Sequence, residues 1–153
     1  MGGVKRSTFQ HFDCSIARSL DLVGEWWTLL VVRDVFFGLH RFDAIRDDLG
    51  ISRNILTDRL TTLVDGGVLE RRPLEGGHHE YHLTEKGRAL YPVLVSLMQW
   101  GDTWATPEGG PPLRLEHQCG HDPHPQLTCA ECGEAVTRRT TKVRRNRPAA
   151  ARP

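Results

Sequence analysis

The sequence predicts a mainly α-helical fold carrying one small β-hairpin, on three observations. Two short amphipathic segments are joined by a Gly-containing turn: one begins near Phe42 and ends at Gly50, the other is capped by Ser52 and closed by Gly66 and Gly67. Two strand-like runs follow, Val68-Leu69-Glu70-Arg71-Arg72 and His79-Glu80-Tyr81-His82-Leu83, with Pro73, Gly76 and Gly77 between them. Helical periodicity then resumes from Glu85. Helix, turn, helix, hairpin, helix is the order of a winged helix-turn-helix, a unit whose usual use is reading the major groove of DNA.

In chain order, residues 1–9 read as a loose arm. A first helix, Ser15 to Val23, carries Ile16, Leu20 and Val23 at helical spacing. Gly24 separates it from a second, Glu25 to Phe36, apolar on most sides and so expected to be buried. Gly38 and Leu39 lead to Arg41. Phe42, Ile45 and Leu49 then form one buried stripe, and Gly50 ends that helix. Ile51 anchors the turn, and Ser52 is a good N-cap for the next helix. There Leu56, Leu60, Leu63 and Val64 share one face, while Asn54, Thr57, Asp58 and Thr61 share the other. Thr84 caps the last helix, Glu85 to Trp104, whose stripe is Leu90, Val93, Leu94, Leu97, Met98 and Trp104. Pro92 inside it should kink or split it.

The candidate DNA contacts follow from this order. Arg53 and Asn54 stand at the start of the second helix of the pair, where base edges are read; Arg suits guanine and Asn suits adenine. Arg41, Ser52, Thr57 and Arg59 join them, and Arg71, Arg72, His78 and His79 crowd the expected wing tip. Asp58 departs from the pattern, since phosphates repel an acid that no base or arginine answers. Two other readings stand beside this one: a solvated face, or a winged helix that binds protein, with a structural zinc appendage.

Here the residues bring in a family. Cys14-Ser15-Ile16, Gly24-Glu25-Trp26-Trp27-Thr28-Leu29-Leu30, Gly38 with Arg41-Phe42, Ile51-Ser52 with Leu56 and Arg59-Leu60, and Tyr81-His82-Leu83-Thr84-Glu85-Lys86-Gly87 together resemble the HxlR-type transcriptional regulators. These are bacterial winged-helix proteins related to the MarR group. The resemblance covers about residues 10–104. It implies a homodimeric repressor or activator, with the N-terminal and long C-terminal helices making the interface. A twofold protein would read two half-sites about one helical turn apart. In several family members a cysteine matching Cys14 senses electrophiles or disulfide stress. The plainer alternative is an inert thiol, although the start of a helix favours a thiolate.

The net charge of +1 conceals an asymmetry. Every acidic residue lies at or before Glu134, while 138–153 hold Arg138, Arg139, Lys142, Arg144, Arg145, Arg147 and Arg152. The body is therefore net acidic, and DNA affinity must rest on local placement of Arg53, Arg59, Arg71 and Arg72. The basic tail either adds phosphate contacts or serves as a solubilising segment. No apolar run reaches the roughly 18 residues of a membrane span and no secretory signal is visible, so a cytoplasmic chain with reduced thiols and no membrane partner is expected.

Residues 106–113 read as a linker by composition, and 114–137 form a Cys/His segment. Cys129-Ala130-Glu131-Cys132-Gly133 has the knuckle shape that lets two sulfurs grip one tetrahedral ion. Cys119 with His121, or with His117, would complete a Cys3His site for one zinc ion per chain, giving a small segment a reason to fold. A redox pair at Cys129 and Cys132, or free thiols, are the alternatives. His78-His79-Glu80 with Cys129-Ala130-Glu131-Cys132 formally matches the zinc deaminases. Thr128 stands where that pattern has Pro, however, and the H-x-E lies in a wing strand, so no enzyme is expected. Nothing in the pattern identifies an operator or a small-molecule effector.

Overall fold

The apolar spacing of residues 42–65 decides the centre of the structure, a computed structural model that describes residues 8–9, 11–106 and 108–144. Ile45, Leu56, Leu60 and Leu63 all enter one core, together with Val31, Val32, Val35, Val68 and Leu69. Each large apolar side chain buried there contributes roughly 1.5–3 kcal/mol relative to exposure. Ile45 lies on α3 (Phe42–Leu49); Leu56, Leu60 and Leu63 lie on α4 (Arg53–Asp65). The turn between them is built as its residues require. Gly50 takes a left-handed φ of +63°, Ile51 is buried, and Ser52 Oγ accepts the Ile55 N–H at 3.3 Å.

Two helices precede this pair, α1 (Ser15–Val23) and α2 (Thr28–Phe36). The helix expected from Glu25 begins instead at Thr28, because Glu25 to Trp27 form a turn closed by a Thr28 N–H bond to the Glu25 carbonyl. As expected from its composition, α2 is the most buried helix, packing against α3, α4 and the hairpin. It also buries Asp34, which accepts from Arg33 Nε at 2.9 Å; Arg33 in turn reaches Asp48 at 3.0 Å. Burial outweighs the pull of Arg33 and holds the Asp34 carboxyl above the usual carboxylate range.

The wing is antiparallel, β1 (Leu69–Pro73) against β2 (His79–Leu83), with Leu69 opposite Leu83, Arg71 opposite Tyr81 and Pro73 opposite His79. Its first strand starts one residue later than the pattern suggested. Gly76 and Gly77, at φ +78° and +77°, turn the chain between the strands. A third edge was not foreseen: Arg41 bridges Glu80, the Tyr81 N–H donates to the His40 carbonyl at 2.9 Å, and His40 Nδ1 donates to the Tyr81 carbonyl at 3.0 Å. This edge ties the wing to the segment entering α3.

The last helix is split as Pro92 required, into α5 (Glu85–Arg88) and α6 (Tyr91–Trp104). Pro92 is the second residue of α6, where its missing N–H has no partner to lose. Thr84 Oγ1 accepts the Gly87 N–H at 3.1 Å and donates to the Gly67 carbonyl at 2.6 Å, while Lys86 Nζ reaches the Gly66 carbonyl at 2.7 Å. A Cβ on Gly87 would stand 2.2 Å from the Val68 carbonyl oxygen, so only glycine fits there.

The chain divides into two compact units, residues up to Met98 and residues from Gln99 on. Among the described residues of the second unit none is buried. Of the expected terminal segments, residues 1–7 of the arm and the tail from Arg145 on lie outside the described residues. No helix among the described residues is long and apolar enough to cross a membrane.

Candidate nucleic-acid interface

Helix periodicity sends the leucines of α4 inward and leaves Asn54, Thr57, Asp58 and Thr61 exposed, with Ser52 and Arg53 at the exposed N-terminal end. The third edge then brings the wing tip to that same end. Arg41, Phe42, Asp43, Arg53, Gly77, His78, His79 and Tyr81 line a cleft of about 340 Å³. Three segments far apart in sequence thus place Arg41, Arg53, His78 and His79 around one opening.

Within the cleft Arg53 is held on two sides. Its guanidinium lies over the Phe42 ring, 4.9 Å from the centroid, and its Nη2 donates to Asp43 Oδ1 at 3.3 Å. Asp43 is shared with Arg46 Nη1 at 2.9 Å, and Arg46 Nη2 bonds Asp47 Oδ1 at 2.7 Å. The Asp47 bond is the main reason the Arg46 pKa is raised. Arg41 and Arg71, by contrast, make no ion pair among the described residues, and neither does the Asp58 carboxylate.

Two of the ten expected contact residues stand elsewhere. Arg59 is only 9% exposed, not on the outer face. Its Nη1 lies 3.1 Å from Glu25 Oε2, and its Nε and Nη1 find no hydrogen-bond acceptor among the described residues. Arg59 is one residue before Leu60 on the inward face, so its charge is answered from the turn before α2. Arg72 is exposed, yet it lies on the opposite strand face from Arg71 and donates through Nε to Glu70 Oε1 at 2.8 Å. Of the four wing residues, His78 and His79 line the cleft and neither arginine does; Arg71 shares a strand face with its partner Tyr81, and Arg72 lies on the other face.

Phe42, Asp43 and Tyr81 are cleft residues that sequence reasoning did not place there. Phe42 read as core, which it partly is. No spacing rule links Asp43 to Arg53, because the link forms only when α3 and α4 cross.

The cysteines are free. Cys14 is exposed, caps α1 without a side-chain bond, and lines a small apolar cleft of about 240 Å³ with Phe9, Phe12, Ile16, Ala17 and Leu20. In the second unit Cys129 to Gly133 form a turn, with the Gly133 N–H donating to the Cys129 carbonyl and the Cys129 N–H to the Glu134 carbonyl, both at 2.8 Å. The backbone N–H groups of Cys132 and Glu131, and then the Cys132 thiol, lower the Cys129 pKa. Cys119 sits in a second turn, its Sγ 3.1 Å from His117 Nδ1, while His121 Nδ1 is turned to the Cys119 carbonyl at 3.1 Å. Among the described residues no three His, Cys, Asp or Glu side chains are gathered to hold a metal ion. The two turns form; the expected four-ligand cluster of Cys119, His121, Cys129 and Cys132 does not.

Comparison with known proteins places this geometry. Over 128 residues, 82% of this chain and 81% of the relative, it is 47% identical to Rv3095 of Mycobacterium tuberculosis, an uncharacterized HTH-type transcriptional regulator. The crystal structure of PA1607, a candidate transcription factor, superposes with a TM-score of 0.82 at 39% identity, covering 92% of this chain and all of that one. HypR, a redox regulator, superposes in its oxidised form with a TM-score of 0.55 at 29% identity, covering 59% of this chain and 96% of that one. The HxlR-like helix-turn-helix family matches residues 22–109, a span that holds α2, the α3–α4 pair, the wing and the split helix. The chain is a winged-helix transcriptional regulator, not an enzyme, and it belongs to the HxlR-like helix-turn-helix family.

Proposed function

We propose that this regulator binds a specific double-stranded DNA operator as a homodimer, with α4 in the major groove and the wing on the neighbouring backbone. The observation that carries the reading is the cleft, where Arg41, Arg53, His78 and His79 converge beside the exposed Asn54 and Thr57. Arg41 and Arg71, which make no ion pair among the described residues, are the phosphate contacts; Arg53 and Asn54 read bases. Dimerisation is supported by the apolar side chains left exposed on α1 (Ile16 and Leu20) and on α6 (Val93, Leu97, Trp100 and Trp104). Charge reversal, Arg53→Glu, tests the DNA reading: operator binding should fall by at least a hundredfold while the fold is kept, and unchanged affinity would refute it. In that event the exposed Asp58 favours a protein partner instead.

Cys14 is the proposed redox-responsive residue, supported by its exposure and its apolar surroundings. The HypR comparison points the same way, since that protein is named a redox regulator. Diamide should release the operator from wild type and from Cys129→Ser, but not from Cys14→Ser. Release from all three would assign the effect elsewhere. One zinc ion held by Cys129, Cys132, Cys119 and a histidine, His121 or His117, is the proposed role of the second unit. The donor chemistry and the preformed Cys129–Gly133 turn support it.

A further inference from the structure

The geometry points to Asp43 as a specificity-determining positioning residue that acts through Arg53. This rests on the DNA reading above and divides its arginines by role. An arginine on a DNA-facing surface can either neutralise a phosphate or present a fixed N–H edge to a base. The choice depends on whether its charge is free and its plane is held. Arg41 and Arg71 make no ion pair among the described residues. Arg53 is paired and oriented instead: Asp43 Oδ1 takes its Nη2 at 3.3 Å, and the Phe42 ring covers one face at 4.9 Å.

Asp43 is itself anchored. Arg46, one helical turn along α3, bonds it at 2.9 Å and is held in turn by Asp47. An unbroken alternation of charge, Asp47, Arg46, Asp43, Arg53, therefore runs from α3 to the first residue of α4. With Nη2 engaged and one face covered, the remaining N–H edge of Arg53 is aimed at low entropic cost. The carboxylate also makes Arg53 a poor phosphate ligand. An acid here thus weakens general attraction to DNA while sharpening the choice of base.

That combination has a signature that no structural role of Asp43 shares. The full-length protein first selects its preferred duplex from a random library. Wild type, Asp43→Ala, Arg53→Ala and the double variant are then titrated against that duplex, its single-base-pair variants and a scrambled duplex. Asp43→Ala should lower the preference for the selected duplex roughly tenfold, while affinity for scrambled DNA stays level or rises. The lost discrimination should fall on the same base pair in each half-site that Arg53→Ala affects, and the double variant should lose no more than Arg53→Ala alone. Asp43→Asn, which keeps an acceptor oxygen without the charge, should lie between alanine and wild type.

Equal gains on all duplexes would show Asp43 to be a plain repulsive charge, and equal losses would show it to be structural; either overturns the proposal and leaves DNA binding intact. Failure of the wild type to enrich any sequence would overturn the DNA reading and this proposal together.

Discussion

The two units of this chain meet folding in opposite ways. Up to Met98, the helix-turn-helix packs Ile45, Leu56, Leu60 and Leu63 around an apolar α2, and its polar ends are capped by Ser52 and Thr84. From Gln99 on, among the described residues, nothing is buried; past the end of α6 at Trp104, order comes from tight turns, from the Thr128–Ala135 bridge and from the Thr137–Thr140 hydroxyl bonds. The first unit has a core that stabilises it without a ligand. The second has two turns bearing cysteines and no core, which is the condition in which a metal would contribute most of the folding energy.

The sharpest way to break this contrast is Leu60→Ala. It should destabilise the first unit by about 2–5 kcal/mol in urea denaturation, since a fully buried leucine leaves a cavity. A loss below about 1 kcal/mol would mean that the core is not what holds the unit. Arg59→Ala comes next, at about 1–3 kcal/mol, because it removes the buried stem and the partner of Glu25. Its salt dependence of DNA binding should match wild type; a reduced slope would return Arg59 to the DNA face.

A smaller effect separates folded from unfolded Asp34. Its pKa is raised on folding, so the native state takes up that proton at a higher pH than the unfolded chain does. Wild type should therefore gain stability relative to Asp34→Asn as the pH falls from neutral toward the ordinary carboxylate range, and lose that gain as it rises. An opposite trend in paired urea melts would show that Arg33 outweighs burial. The smallest effect belongs to the second unit. Removing zinc, or making Cys129→Ser with Cys132→Ser, should shift the stability of the first unit by less than about 0.5 kcal/mol. Tag-free wild type should still carry one zinc per chain by elemental analysis, and less than half an equivalent would remove the metal from the account.

Periodicity made the first unit legible. The inward faces of α3 and α4, the Gly50 turn, the Ser52 cap, the hairpin and the break near Pro92 all follow from residue type and local spacing. What escaped reading depends on partners brought together only by tertiary packing. Arg59 looks like a surface arginine until Glu25 is brought across from the turn before α2. That engagement accompanies a start of α2 three residues later than its apolar run suggests. Arg71 and Arg72 look like one patch until the pleat sends them to opposite faces. The Arg41–Glu80 bridge and the Asp43–Arg53 contact have no signature in spacing, yet they shape the cleft. In the second unit the motif was legible and the cluster was not, because among the described residues no buried core packs the cysteines and histidines together.

The measurement that tests the central claim most directly is an anisotropy titration of the full-length wild type against DNA flanking its own gene, with scrambled DNA alongside at the same salt. A preference for the flanking duplex of roughly a thousandfold is the result expected of a cleft that reads sequence. Equal affinity for both, falling alike as salt rises, would reduce the cleft to phosphate attraction and contradict the claim.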